Sequence, residues 1–312
     1  MMIRNSIIII FLFACHSYAQ TEVRVNTTVD STQRQPAIAR DGAGNYTVVW
    51  KSEAAATLQN RSDIYLQHFL SNGTKSGGEV LVNTTVNGEQ EKPVIAVNSS
   101  GAGVVAWVSL SSGGSGYDIY ARRIQNGVPQ GDEFLVNTYT QNTQNNPSVA
   151  INANGEFVIA WDSWYQDGSD RGVYAQMFTS AGVKAGDEFR VSVETAYSQA
   201  RPVVKYFPNG NLLFLWESYK PAPPSPAGYD VYGRVFSTNG MATTGDFLVN
   251  TVTANSQWFA DAAIFNDNSF VAVWCSWEQD GDDGGIYYQR FLPDGTKLGG
   301  EFRVNKSTAY YQ

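Results

Sequence analysis

Residues 161–178 read WDSWYQDGSDRGVYAQMF, and residues 274–291 read WCSWEQDGDDGGIYYQRF, aligned without a gap. In both, a strand ends at a tryptophan, a turn rich in Asp and Gly follows, and a second alternating strand runs on to a phenylalanine. A pattern that returns so far along a chain marks an internal repeat, and repeats decide architecture before any other feature.

The repeat runs the length of the sequence. One marker reads EVRVNT at 22, EVLVNT at 79, EFLVNT at 133, EFRVSV at 188, DFLVNT at 246 and EFRVNK at 301. A second marker, a strand ending in tryptophan, keeps step with it at Trp50, Trp107, Trp161, Trp216 and Trp274. Each unit holds four short apolar or alternating runs; in the third these are PSVAIN, EFVIAW, GVYAQMF and EFRVS, joined by Gly-bearing connections such as ANG. No segment keeps a helical period. Four antiparallel strands in about 55 residues make one blade, so the fold class is all-β, a β-propeller with five blades visible and an extra N-terminal strand at 22–26.

First strands are counted from Pro36, Pro93, Pro147 and Pro202, with Asp261 and Ala262 in the proline's place in the fifth unit. Because the fifth unit owns a fourth strand, the spare strand implies either a closed five-bladed ring with an additional edge or a fragment of a longer repeat array. The five tryptophans are expected between blades, where each removes on the order of 150–250 Å² from water. The marker's Asn26, Asn83, Asn137, Asn250 and Asn305, and Ser192 in the same place, are expected to satisfy backbone groups of the following turn.

The first 19 residues carry one charge, Arg4, and an apolar run from Ile7 to Ala14 too short to span a bilayer, and they end Ser17-Tyr18-Ala19. They read as a secretory signal peptide, leaving residues 20–312 as the propeller domain outside the cytoplasm. LFAC, ending at Cys15, is an alternative lipobox that would anchor the chain by a lipid without a transmembrane segment. Removal of the signal leaves Cys275 alone, so no intrachain disulfide forms. With 21 Lys and Arg against 29 Asp and Glu, a net charge of −8 and no basic run, nucleic acid is excluded as a partner.

The repeat resembles units of bacterial secreted and cell-surface proteins that read EFxVNT, VVxW, QDG and IYxQRF in order; the resemblance implies an extracellular propeller-like array and no particular reaction. In strand order the chain is also similar to sialidase-type propellers, but their Asp-box, Ser-x-Asp-x-Gly-x-x-Trp, does not occur.

Antiparallel connection puts the second-to-third strand loops on the same face as the links between blades. Those loops are long and dissimilar, and such loops on a rigid scaffold favour binding. Trp164, Tyr165, Tyr219 and Trp277 are therefore the candidate ligand-binding residues, with Tyr139, Tyr197 and Trp258 nearby on the links, for an extracellular glycan or protein. Asp167, Asp170, Asp280, Asp282 and Asp283 offer hard oxygen ligands beside Gly-permitted turns, which suits Ca2+, although Phe291 stands where an EF-hand glutamate belongs. No Ser-His-Asp, zinc or phosphate-loop signature is present, and His68 has no recognisable nucleophile partner. The favoured reading is a non-enzymatic secreted or surface binding module. The alternative is a sialidase-like or five-bladed glycoside hydrolase using carboxylates at the central funnel.

Overall fold

The computed structural model describes residues 22–53, 61–110, 116–221 and 227–307. They form five four-stranded antiparallel sheets, each in sequential strand order. The blades comprise β1 to β4 (Gln33–Arg40, Tyr46–Glu53, Ser62–Phe69, Lys75–Leu81), β5 to β8 (Gln90–Val97, Ala102–Leu110, Tyr117–Gln125, Val128–Leu135), β9 to β12 (Gln144–Ile151, Phe157–Trp164, Arg171–Phe178, Phe189–Arg190), β13 to β16 (Gln199–Tyr206, Leu212–Lys220, Gly228–Phe236, Phe247–Leu248) and β17 to β20 (Gln257–Ile264, Phe270–Trp277, Gly284–Phe291, Lys297–Arg303). The first strands begin three residues before the proline, at a repeated glutamine. The fifth unit therefore holds Ala260 in the proline's place rather than Asp261.

The second strands of blades one to four are buried on both faces, because blades stack face to face, and so they read as apolar runs rather than alternations. Trp107 and Trp161 are fully buried, and Trp50, Trp216 and Trp274 nearly so. Hydrophobic clusters join blades one and two, two and three, three and four, and four and five. In the first two blades the strand-opening glutamine accepts the tryptophan N–H: Trp50 Nε1 donates to Gln33 at 2.7 Å and Trp107 Nε1 to Gln90 at 2.9 Å, whereas Trp161 Nε1 and Trp274 Nε1 are buried without a partner in the protein.

The VNT asparagine is structural, as expected. Asn83 Oδ1 accepts the Ile64 N–H at 2.7 Å while its Nδ2 donates to Asp63 and to the Thr85 carbonyl, and Asn137 and Asn250 repeat this. The acid that opens the same marker reaches the preceding blade. Glu133 accepts the N–H groups of Thr84 and Thr85, Glu188 that of Thr138, Asp246 that of Val193 and Glu301 that of Thr251. Each blade thus clamps the turn of its predecessor with a charge-assisted bond.

The N-terminal segment joins this system without joining a sheet. Residues 22–26 form no ladder. Val25 packs on Val48, Trp50 and Phe69 of the first blade, and Glu79 clamps Thr27 and Thr28. The signal segment and Cys15 lie outside the described residues. Among the described residues, no helix is long and apolar enough to cross a membrane.

Candidate active site

Every first strand carries a bulge at the same place, where its pairing with the second strand slips: between Arg34 and Ala37, Glu91 and Val94, Asn145 and Ser148, Ala200 and Val203, and Trp258 and Asp261. Its third residue has a left-handed backbone each time, with φ of 54° at Gln35, 49° at Lys92, 49° at Asn146, 50° at Arg201 and 54° at Phe259. None is glycine, so each bulge stores strain, and bulges of this kind re-aim side chains beside functional sites. Proline tolerates the next position because a bulge asks for no ladder N–H there.

These five bulges surround one funnel of about 520 Å³, lined by Gln35, Lys92, Asn146, Arg201 and Phe259, by the residues that follow them, and by Glu217. It opens on the face that carries the second-to-third strand loops and the links, since bulge and link are adjacent in each first strand.

The second strands supply the chemistry beneath. The residue after each core tryptophan is Lys51, Val108, Asp162, Glu217 or Cys275, and all five are buried. Two are carboxylates in neighbouring blades, and both converge on Arg201. Asp162 Oδ2 accepts the Arg201 main-chain N–H at 3.1 Å and Asn146 Nδ2 at 2.7 Å. Glu217 Oε2 accepts Arg201 Nη1 at 3.0 Å, and its Oε1 accepts the Phe259 N–H at 2.8 Å. The Arg201 guanidinium also lies over the Phe259 ring, 4.9 Å from its centre. Lys92 Nζ donates to Asn145 and Asn146 at 2.9 and 3.0 Å, completing the ring toward the second blade.

Burial pushes the Glu217 carboxyl above its ordinary range, although the Phe259 N–H and Arg201 pull it down. Asp162 is likewise raised, by burial above all, against its bonds to Asn146 and Arg201. Its Oδ1 has no hydrogen-bond partner in the protein. Burial lowers Lys92, while Asp162 and Glu91 oppose that shift. A desolvated carboxyl beside an open funnel is the arrangement of a proton-transfer site.

The residues singled out from the loops lie elsewhere. Trp164 is half-buried against Tyr165, with the Arg171 guanidinium 5.6 Å from its ring centre, and Tyr165 is 55% exposed. Tyr219 packs between Tyr197 and Tyr229, and Trp277 against Trp258. Each aromatic candidate is thus paired within its own blade or its link. Residues 54–60, 111–115 and 222–226 of the remaining loops lie outside the described residues.

The Asp-Gly turns serve the blade. A Cβ on Gly172 would meet Asp167 Oδ2 at 2.5 Å, and one on Gly285 would meet Asp280 Oδ2 at 2.7 Å. These two aspartates fold over glycines that stand where the other third strands carry Asp63, Asp118 and Asp230. Asp280 there accepts Asn305 Nδ2 at 3.3 Å. The glutamine of QDG reaches the clamp acid: Gln166 Nε2 donates to Glu188 and Gln279 Nε2 to Glu301, each at 2.6 Å. Asp170 accepts the Tyr165 N–H through its carbonyl, Asp283 that of Glu278, and Asp282 Oδ1 accepts the Asp283 N–H. Among the described residues, no three His, Cys, Asp or Glu side chains group closely enough to hold a metal ion. His68 Nδ1 pairs with Thr47 Oγ1 at 2.9 Å inside the first blade.

Sequence reasoning missed Asp162, Glu217, Lys92 and Arg201. The available signal was the series WK, WV, WD, WE, WC: one position that changes chemistry from blade to blade beside a tryptophan that never changes.

No protein-family model and no curated protein matches the chain. Solved structures do. The chain is similar to the GH93 α-L-arabinofuranosidase of Fusarium graminearum, solved with arabinobiose, over 92% of this chain and 86% of that one, at 14% identity and a TM-score of 0.60. It is similar to the α-L-arabinanase of Penicillium chrysogenum, also solved with arabinobiose, over 87% and 80%, at 14% identity and a TM-score of 0.58. It is also similar to a protein of unknown function from Dyadobacter fermentans, over 90% and 85%, at 11% identity and a TM-score of 0.57.

The fold is a β-propeller. The expectation of a non-enzymatic binding or adhesive module is corrected here. The two similar structures of stated activity named above are an α-L-arabinofuranosidase and an α-L-arabinanase, and the axis holds an open funnel lined by the buried carboxylate Glu217 rather than a filled apolar core.

Proposed function

We propose that this protein is a glycoside hydrolase whose reaction takes place in the axial funnel, on a glycan containing arabinose. The observation that carries the reading is Glu217, a carboxyl shifted toward its protonated form by burial, lining the open axial funnel. The substrate class follows the two enzymes of similar fold, both solved with arabinobiose.

In this reading Glu217 gives its proton to the glycosidic oxygen as the bond to the anomeric carbon breaks. Asp261, which also lines the funnel and pairs with Lys205 at 2.9 Å, takes a proton from the water that adds to that carbon. One water is consumed, and one new hydroxyl and one new reducing end appear. Asp162 is wholly buried and bonds the Arg201 main chain, so it acts as a positioning residue, holding the bulge whose guanidinium orients Glu217. Lys92, Gln35 and Asn146 offer donors and acceptors to sugar hydroxyls around the rim. An exported enzyme acting on an extracellular glycan is consistent with the leader-like first 19 residues.

The test is reducing-end release from arabinan and linear arabino-oligosaccharides. Activity that falls about 100- to 10,000-fold in Glu217→Gln, in protein that remains folded, supports the proposal. Full activity in that variant, or no hydrolysis of any glycan by the wild type, contradicts it.

A further inference from the structure

The ring is open between its last and first blades. Four hydrophobic clusters join the consecutive pairs, and among the described residues none joins blade five to blade one. The outer face of blade five is consequently uncovered. Leu213, Leu215 and Val231 of blade four are fully buried by blade five. Their counterparts Val271, Val273 and Ile286 are only half-buried. The contrast is sharper on the fourth strand. Val82, Val136, Val191 and Val249 are fully buried, whereas Val304 is 55% exposed and its neighbour Phe302 54%. Across the gap, Ile38 of blade one is 64% exposed, against 1% for Val204 at the same repeat position. A cleft of about 190 Å³ runs there between Val25, Pro36, Val48 and Trp50.

The clamps say what fits this gap. Six acids open the repeated marker, and five of them hold the turn of the preceding unit. Glu22, the sixth acid, is exposed and has no partner among the described residues. Among the described residues no acid holds the turn after Asn305, although Asn305 shapes it through Ser307 as the others are shaped. The unused acid and the unused turn face the same gap from opposite sides.

We infer that the gap between blades five and one seats one further three-stranded unit of this same repeat, following blade five through the link after Asn305. Residues 22–26 are its fourth strand, and Glu22 clamps the backbone at Lys306 and Ser307. Its outer faces are apolar and alternating, to cover Val304 and Phe302 on one side and Ile38 on the other. It also brings a sixth bulge to the funnel, between Gln35 and Phe259. A ring sealed by strands from both ends of the propeller removes the exposed edge that an open stack presents.

The experiment appends a second copy of residues 199–240, the first three strands of blade four, after Gln312. Val304→Cys is then labelled with a thiol reagent in the parent and extended chains, with buried Cys275 as the unreactive reference. Expected is rapid labelling in the parent, slowing by at least about tenfold in the extended chain. Glu22→Gln is expected to lower the thermal midpoint of the extended chain and to leave that of the parent unchanged. Protection of Val304→Cys already in the parent would overturn the inference, because the ring would then be closed on itself. Equal labelling in both chains, or an equal effect of Glu22→Gln on both, would overturn it as well.

Discussion

Glu217 in the fourth blade accepts the main-chain N–H of Phe259 in the fifth, at 2.8 Å. That N–H is free to point at a neighbouring blade only because Phe259 has a left-handed backbone, with φ of 54°. The strained bulge and the buried carboxylate are thus one device. The bulge takes a donor out of the ladder, and the donor steadies a carboxyl that burial alone would leave poorly solvated. Asp162 and Arg201 repeat the arrangement between blades three and four, at 3.1 Å.

The two buried carboxyls predict a pH dependence. Both are raised above ordinary values of 3.8 for Asp162 and 4.5 for Glu217. The folded chain therefore holds their protons more tightly than the unfolded one. Their stabilising contribution is complete below those ordinary values and is lost as pH rises through the folded ones. Asp162→Asn keeps the shape without the charge. Its thermal midpoint, measured from pH 3 to 8, is expected to rise relative to wild type as pH increases. Glu79 has the opposite tendency: burial raises it, but the hydrogen bonds from Thr27 and Thr28 outweigh this and leave it lowered. That effect is common to both proteins and cancels in the difference.

The Asp-Gly turns predict a coupling. Gly172→Ala drives a methyl into Asp167 and is expected to cost about 1–3 kcal/mol in urea unfolding. Asp167→Ala vacates that space, so the double variant is expected to be more stable than the sum of the singles by about 1 kcal/mol. Additive effects would mean that Asp167 does not occupy the glycine's missing side chain.

How much of this was legible in the sequence differs between fold and site. The blade count and strand order were legible because Trp161 and its four counterparts do the same job in every unit, and the VNT asparagines in all but the third. The opening of the ring was not, because a repeat period counts blades without stating how many a circle needs. The site was hidden for the converse reason. Gln35, Lys92, Asn146, Arg201 and Phe259 share a backbone conformation and no chemistry, so they look like variation within the repeat. Asp167 and Asp280 drew attention as metal ligands because an aspartate beside a turn glycine suits calcium. Only the packing shows them over Gly172 and Gly285.

The turn asparagines predict a uniform stability cost. Asn83 and Asn137 are each about 1% exposed, and each satisfies one N–H and one carbonyl of the backbone. Replacing either by Ala strands those groups and is expected to cost about 2–4 kcal/mol in denaturant unfolding, with glycan hydrolysis of the folded protein unchanged. A cost below about 0.5 kcal/mol would place them outside the blade's framework.

The central claim is that Glu217 transfers a proton to the substrate in the axial funnel. The most direct measurement is the pH–rate profile of arabino-oligosaccharide hydrolysis for wild type and Arg201→Met, with Glu217→Gln as the null. Removing the Arg201 cation takes away an interaction that holds Glu217 down, so the alkaline limb of the profile is expected to move to higher pH, while Glu217→Gln keeps at most about 1% of the wild-type rate. An alkaline limb that stays in place in Arg201→Met, or a wild-type rate in Glu217→Gln, would contradict the account.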